Sequence, residues 1–341
     1  MSGKSKLPGA LSRRQLMFII LLPIAAAFIS LCIGRIPLTP TQVVSAIAAR
    51  LHHGAAADGT AVKVVWSFRL PRIILACLVG GGLSAAGCTY QELFANPLAA
   101  PDTLGVASGA AFGAALGILL DLGLIGMQIC AIIFGFGAVA LTYLAGSGRI
   151  RSAGSMVLAG IMVASLFSAL IALVKYAADT DSQLPAITYW LMGNLSAASY
   201  KTLALGAPLI VAGTGILIAI RWRLNLLPLS DDEARASGVN ITALRLISVV
   251  CATAITAACV SMCGQVGWVG LLVPHICRMR FGSNTVAVIP ASIGIGAALM
   301  IVVDTIARSV TAAEIPVSIL TAIIGAPFFI VLMRRNGGWQ L

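Results

Sequence analysis

The side chains that most often carry out chemistry in proteins are few in this sequence and lie far apart. The three histidines are His52, His53 and His275, and the eight cysteines lie in or beside apolar runs without a CxxC pair. Adjacent histidines point in different directions on a helix or a strand, so His52 and His53 are poorly placed to bind one metal ion. We therefore expect no metal site and no cofactor, and we interpret the cysteines as small buried apolar residues.

Motifs for catalysis or nucleotide binding are also missing. The sequence has no HExxH motif, no GxSxG motif and no pair of carboxylates inside an apolar run. Gly3-Lys4-Ser5 matches the end of a Walker A loop, but only two residues precede it, so the phosphate-cradling glycine loop cannot form. We expect a protein that is not an enzyme. If ATP drives it, another chain must hydrolyse the ATP.

The elements that position the remaining polar residues follow from the composition. Of the 341 residues, 59% are apolar and only 10% are charged. A soluble domain with so little charge would not stay dispersed, so much of the apolar surface must face lipid. The net charge of +11 comes from short basic stretches between apolar runs, which indicates membrane topology rather than a nucleic-acid partner.

Ten apolar runs predict an all-α, polytopic bundle of about ten transmembrane helices. The eighth run is short for a full crossing. An even number of spans puts both termini on one side, and fourteen of the 22 Lys and Arg residues favour the cytoplasm as that side. The runs lie near residues 16–34, 73–91, 103–120, 124–145, 155–174, 202–220, 242–263, 266–280, 285–303 and 316–333.

This topology divides the chain into one membrane domain and two tails. Residues 1–15 form a cytoplasmic N-terminal tail, residues 16–335 the transmembrane domain and residues 336–341 a cytoplasmic C-terminal tail. Two segments between spans are long enough to fold, namely 34–65 on the outer side and 221–244 on the cytoplasmic side.

A set of short motifs follows in a fixed order along most of the chain. Together these motifs resemble the permeases of type II ABC importers for ferric siderophores, haem and cobalamin, the FecCD-like permease family. The motifs are Arg69-Leu70-Pro71-Arg72, Asn96-Pro97-Leu98-Ala99, Trp190-Leu191-Met192-Gly193, Gly270-Leu271-Leu272-Val273-Pro274-His275, Asp304-Thr305-Ile306-Ala307-Arg308, Glu314-Ile315-Pro316-Val317 and Gly325-Ala326-Pro327-Phe328.

The resemblance implies a complex in the bacterial inner membrane. Two copies of the chain, or the chain and a paralogue, would span the membrane with two cytoplasmic ATP-binding subunits and a periplasmic substrate-binding protein. The implied cargo is an iron chelate, with a ferric siderophore first and haem or a corrinoid next. The alternative is a secondary transporter or channel, which usually carries ionisable residues inside the membrane. Few are evident here, although Asp304 lies near the end of a span.

Three arginines are expected at the outer mouth. Arg69 and Arg72 lie at the outer end of the second span and Arg308 at that of the ninth. By resemblance, they receive acidic residues of the binding protein, a task that suits the planar fork of arginine. The alternatives are snorkelling to the interface or a pair with Asp304 or Glu314, two acids that we expect to orient Arg308.

The cytoplasmic loop 221–244 is expected to contact an ATP-binding subunit. Ser230 followed by three acids predicts a short capped helix. By resemblance, this helix is the coupling helix, with Glu233, Ala234, Arg235 and Gly238 as its key residues. The alternative is an ordinary amphipathic loop.

The cytoplasmic gate is expected where the second span ends and where the fourth turns into the fifth. By resemblance, its residues are Asn96, Pro97 and Leu98 at the first place and Ser152 and Ser155 at the second. Proline breaks a helix, and an asparagine side chain can satisfy the backbone groups that the break leaves free. A plain turn explains the first motif equally well.

Overall fold

The computed structural model describes residues 9–51, 59–146, 153–311 and 313–335, and most of these residues are helical. A π-helical segment, Val64–Arg69, joins the third α-helix to the fourth without a break. The α-helices are α1 (Arg13–Cys32), α2 (Pro40–Leu51), α3 (Gly59–Lys63), α4 (Leu70–Leu93), α5 (Val106–Leu119), α6 (Gly123–Ala145), α7 (Ala153–Ala177), α8 (Gln183–Leu191), α9 (Tyr200–Leu224), α10 (Asp231–Ala236), α11 (Ile241–Cys263), α12 (Val269–Phe281), α13 (Thr285–Val310) and α14 (Val317–Arg335).

The all-α prediction is confirmed, and each of the ten predicted apolar runs falls on a helix. Within the described ranges, seven helices are long and apolar enough to cross a membrane: α1, the continuous Gly59–Leu93 helix, α6, α7, α9, α11 and α13. The other three are α5, α12 and α14. As predicted, α12 is short, and the glycine-rich break after Cys263 separates it from α11. The cytoplasmic location of the termini stays a prediction.

Helix α4 is the central element of the bundle and packs on α9, α11, α12 and α13. Its glycines allow two of these helices to approach closely. Gly80 faces the backbone of Gly296 in α13, and Gly87 faces the backbone of Gly270 in α12, so a methyl group at either position would overlap with main-chain atoms. Small residues at such contacts are typical of helix packing in membranes, where apolar burial from water does not drive association.

Helices α5 and α6 pack along a second glycine seam. Gly109, Gly113 and Gly117 recur at helical spacing and all face α6, with Gly113 against the backbone of Cys130 and Gly117 against that of Met127. The helical spacing of these glycines suggests close helix packing, and the structure shows that packing.

The two ends of the bundle gather different parts of the chain. At one end, here called the arginine end, the C-terminus of α1 meets the start of α4 and the last turns of α13. The described part of segment 34–65 folds at this end as α2, α3 and the π-helical segment. At the opposite end Gly9 lies against Asn284, and Asn225 after α9 donates a 3.1 Å hydrogen bond to the same Asn284.

Candidate functional site

The three arginines predicted at the outer mouth do lie together, at the arginine end. Arg69 closes the π-helical segment, Arg72 lies in the first turn of α4, and Arg308 lies in the last turn of α13. Together with Arg35 and Glu314, they line a pocket of about 370 Å³. The family resemblance therefore identified three arginines, two of which are far from the third in the sequence but close to it in the structure.

The exposure of these arginines differs from what the sequence suggests. Arg69 is 4% exposed and Arg308 is 8% exposed. The predicted spans 73–91 and 285–303 were too short, because the second helix is continuous from Gly59 and the ninth continues to Val310. An apolar run ends at its first charged residue, whereas a helix continues past that residue when its neighbours satisfy the charge.

Arg69 binds the end of α1. Its Nη1 donates to the carbonyl oxygen of Leu31 and its Nη2 to that of Ile36. The last carbonyl groups of a helix have no partner within the helix, and a cation is favoured at that end of the helix dipole. Arg69 thus acts as a buried cap that holds α1 and the chain after it against α4.

Arg72 bridges two carboxylates. Its Nε donates to Asp304 Oδ1 at 2.9 Å and its Nη2 lies 2.9 Å from the same oxygen, while Nη1 lies 3.0 Å from Glu314 Oε2. The side chain of Asp304 is 1% exposed and that of Arg72 is 11% exposed. The expectation that these acids orient Arg308 holds for Asp304, which forms an ion pair with Arg308 Nε at 3.7 Å as well as with Arg72. It does not hold for Glu314, whose ion pair is with Arg72.

Arg308 ties α13 to α1. Its Nη2 donates to the carbonyl oxygen of Ser30 at 2.5 Å and to Ser30 Oγ at 2.8 Å. Thr305, one turn earlier, donates to the same hydroxyl oxygen at 2.8 Å. The Nε of Arg308 is buried, and no described atom accepts a hydrogen bond from it. This guanidinium group is therefore only partly satisfied by the chain itself.

The short helix predicted after Ser230 is present as α10, and its coupling role stays a prediction. Ser230 and Glu233 cap it reciprocally: Ser230 Oγ donates to Glu233 Oε2 at 2.8 Å, and the Glu233 backbone N–H donates to Ser230 Oγ at 3.4 Å. The Ser230 hydroxyl and the Ser230 backbone N–H both donate to Glu233 Oε2, and these two hydrogen bonds hold the pKa of Glu233 below its usual value. Ala234 is buried, and Gly238 follows the helix with a φ of 72° in the left-handed region. Arg235 lies in α10, but its side chain is outside the described part of the chain.

The predicted gate positions fall at the ends of α4 and α7. Asn96 Oδ1 accepts a 2.9 Å hydrogen bond from the Leu98 backbone N–H, so Asn96 and Pro97 form a turn of the kind that asparagine stabilises. Ser155 lies in the first turn of α7, whereas Ser152 is outside the described residues. A nearby ion pair was not predicted: Arg278 in α12 binds Glu92 at 2.8 Å and also donates to Gln91.

Two further features escaped the sequence reasoning. Arg35, an exposed residue at the rim of the arginine-end pocket, directly follows the first apolar run, and its position was the available signal. A second pocket, of about 280 Å³, lies beside the glycine-rich break and is lined by Asp102, Gln265, Trp268 and Ser318 among others. Trp268 has a φ of 68°, which is uncommon for a residue other than glycine and which no pattern in the sequence announces.

His275 is not part of a metal-binding cluster. Its ring lies 5.7 Å from that of Phe329, and its buried Nδ1 has no hydrogen-bond partner among the described atoms. Within the described ranges, no group of three or more His, Cys, Asp or Glu side chains is arranged to hold a metal ion. His52 and His53 lie outside these ranges.

Comparison with known proteins gives a consistent picture. The model of the FecCD transport family matches residues 20–335. The molybdate import system permease protein MolB of Haemophilus influenzae is 40% identical over 321 residues, which cover 93% of this chain and 95% of MolB. A Helicobacter pylori protein named "Probable iron chelatin transport system permease protein" is 37% identical over 279 residues, which cover 81% of this chain and 83% of that protein.

A solved structure is similar over nearly the whole chain. It is described as "An inward-facing conformation of a putative metal-chelate type ABC transporter". It superimposes with a TM-score of 0.86 at 38% sequence identity and covers 95% of this chain and 100% of its own.

Proposed function

The chain belongs to the FecCD transport family and is a permease subunit of an ABC importer in the bacterial inner membrane; from this premise we propose that it imports a metal-containing anion, with molybdate as the first candidate. The observation that carries this choice is the pocket at the arginine end, which four arginines and one glutamate line. Clefts lined by one sign of charge concentrate the oppositely charged solute. The 40% identity to a permease named for molybdate supports the same choice.

A ferric chelate is the second candidate. Ferric siderophore was the first expectation from the sequence, with haem or a corrinoid next, and the relative named for iron chelatin favours an iron compound. Many ferric chelates are anions, so the electropositive pocket suits them as well. The substrate therefore has to be decided by transport rather than by the charge of the pocket alone.

The arginine end is the docking face for the substrate-binding protein in this proposal. Arg72 and Arg308 bind other groups of the chain, so they shape and charge the face, and the exposed Arg35 at its rim adds positive charge that attracts acidic residues of the partner. Arginine is well suited to such pairs because it binds carboxylates bidentately and keeps its charge.

The opposite end carries the contacts with the two ATP-binding subunits. Helix α10, with Glu233, Ala234, Arg235 and Gly238, is the coupling helix. It forms a compact projection between α9 and α11, and its exposed acids suit a groove on a separate subunit. The turn at Asn96, Pro97 and Leu98, with Ser152 and Ser155 before and in α7, forms the gate on the same side.

A second permease copy or a paralogue completes the pathway. Helix α14 packs on α12 and α13 and leaves large apolar side chains exposed, among them Ile319, Ile323 and Ile330. A neighbouring helix bundle can cover this face together with lipid. We expect the substrate to cross between the two copies by alternating access.

Uptake by intact cells tests the proposed substrate. Cells without their own molybdate and siderophore importers would express the chain with its ATP-binding subunit and its binding protein, and accumulation of radioactive molybdate and of ⁵⁵Fe-siderophore would be measured. A matched strain carries an ATP-binding subunit inactivated in its Walker A lysine. We expect ATPase-dependent accumulation of molybdate. Accumulation of the ferric chelate alone would reject molybdate in favour of the second candidate.

A further inference from the structure

Two buried arginines converge on one glycine at the arginine end. If Gly34 carried a Cβ atom, that atom would lie 2.7 Å from Arg69 Nη2 and 2.8 Å from Arg308 Nη1. Both guanidinium groups therefore pack against the backbone of Gly34, from the π-helical segment and from α13, and the absence of a side chain at residue 34 allows them to lie close to each other. We propose that Arg69 and Arg308, with Arg35 at the rim, form a binding site for a small tetrahedral oxyanion on the permease itself.

The charges around Gly34 leave a positive excess. The three buried or nearly buried guanidinium groups belong to Arg69, Arg72 and Arg308, and the carboxylates that face them belong to Asp304 and Glu314. Arg72 binds both carboxylates at hydrogen-bonding distance. Arg69 donates to carbonyl oxygens, and Arg308 donates to Ser30 and has only a longer ion pair, of 3.7 Å, with Asp304. Like charges that converge out of water are costly unless an anion lies between or beside them.

Arg308 has donor capacity that the chain does not use. Its Nη2 is bound to Ser30, but its Nε is buried without a hydrogen-bond partner among the described atoms, and its closest carboxylate oxygen is 3.7 Å away. The side chain is 8% exposed, so bulk water does not satisfy it either. A buried N–H donor without an acceptor is costly, so an anion that accepts a hydrogen bond from this guanidinium group would be bound favourably.

The pocket has the size and the chemistry for a compact anion. Its volume of about 370 Å³ accommodates a tetrahedral oxyanion with several water molecules, since each water occupies about 30 Å³. Besides the arginines, it is lined by Ser196, whose hydroxyl group can donate a hydrogen bond. Planar guanidinium forks match the oxygen geometry of such anions well.

This inference deepens the proposed function, because an importer of molybdate would then hold its cargo briefly at the mouth after the binding protein releases it. It does not depend on the transport assay, since binding can be measured on the permease alone.

Equilibrium dialysis with ⁹⁹Mo-molybdate tests the site. The purified permease, in an uncharged detergent and without its ATP-binding subunit or binding protein, should bind molybdate saturably and lose it to sulfate. Arg308→Gln should weaken the affinity at least tenfold. Gly34→Ala should do the same without removing a charge, because its methyl group would overlap with both guanidinium groups and displace them. Arg280→Gln removes an exposed arginine from the opposite end and should leave the affinity unchanged.

Several results would overturn the proposal. They are an absence of saturable binding by the unaltered permease, an equal loss in Arg280→Gln, or unchanged affinity in both pocket variants. If Arg308→Gln does not elute as a folded protein, Gly34→Ala and the rim variant Arg35→Gln decide the question. Phosphatidylglycerol that co-purifies with the unaltered permease, is lost in Arg308→Gln and is not displaced by molybdate would identify a lipid phosphate as the occupant and reject the free anion. Molybdate uptake that persists without binding by the permease would reject this site and leave the proposed function standing.

Discussion

Arg72 makes the contacts on which the arginine end depends most. It joins α4 to α13 through Asp304 and to the chain before α14 through Glu314. If Arg69 and Arg72 were exposed, reversing their charges would test docking directly. In this structure, a carboxylate at residue 72 would face the carboxylates of Asp304 and Glu314. The charge-reversal variant would therefore be destabilised, and its effect on docking of the binding protein could not be read separately. Substitution of the exposed Arg35 is the cleaner way to probe docking.

Asp304→Asn should destabilise the protein markedly. The change leaves Arg72 with Glu314 alone and removes the carboxylate nearest to Arg308. Breaking a buried ion pair by removing one partner typically costs about 3–5 kcal/mol. We expect a clear fall in the melting temperature of the purified permease, measured by tryptophan fluorescence.

Asp121→Asn is the matched control, because Asp121 is an exposed acid in the turn between α5 and α6 and should tolerate the same substitution. The double variant Arg72→Gln with Asp304→Asn should lose less stability than the two single variants together, since it removes both charges of the pair. A melting temperature equal to that of the unaltered protein in Asp304→Asn would contradict the role given to this pair.

At the scale of elements, the sequence predicted helices better than their ends. Hydropathy located all ten runs, and the helical spacing of Gly109, Gly113 and Gly117 is typical of close helix packing but does not identify α6 as the partner. Hydropathy did not predict that α3, the π-helical segment and α4 would form one continuous helix from Gly59 to Leu93. Helix continuation past a charged residue depends on partners such as Leu31 and Asp304, which are distant in sequence, and a window of neighbouring residues contains no information about them.

Gly113→Val should weaken the packing of α5 against α6. The Cβ of any larger residue would overlap with the backbone of Cys130, and the two helices would have to separate. Overpacking of a close contact costs about 1–3 kcal/mol. Gly137→Val, at a position in α6 where a Cβ would meet no described atom within 4 Å, is the control. Equal thermal stability of the two variants would argue against a packing role for this glycine seam.

Ser230→Ala should impair communication with the ATP-binding subunit. The change removes the hydroxyl that caps α10, a loss that costs about 1 kcal/mol of local helix stability, and returns the pKa of Glu233 toward its usual value. We expect the binding protein to stimulate ATP hydrolysis by the assembled complex less strongly, with unchanged assembly and melting temperature.

Ser12→Ala provides a matched control for this variant, because Ser12 forms the same kind of capping box at the start of α1. It should leave stimulation of ATP hydrolysis intact. If both serine variants lowered stimulation equally, the effect would belong to helix capping in general and α10 would lose its assigned role.

At the scale of the whole molecule, some features could be predicted from the sequence and others could not. Composition and ordered motifs were sufficient to predict a polytopic permease of the FecCD family. The burial of Arg69 and Arg308, the Arg278–Glu92 pair and the pocket around Trp268 depend on contacts between helices far apart in the chain. Such contacts are set by tertiary packing, so one sequence alone does not predict them.

In this account the chain forms the path across the membrane, while separate subunits hydrolyse ATP and deliver the substrate. Transport in proteoliposomes tests this division of roles most directly. Vesicles would contain the permease and its ATP-binding subunit with ATP inside, and radioactive molybdate would be offered outside with or without the binding protein. We predict accumulation only when ATP and the binding protein are both present, and none with a non-hydrolysable ATP analogue. Accumulation driven by a proton or sodium gradient in the absence of ATP would contradict the account and indicate a secondary transporter.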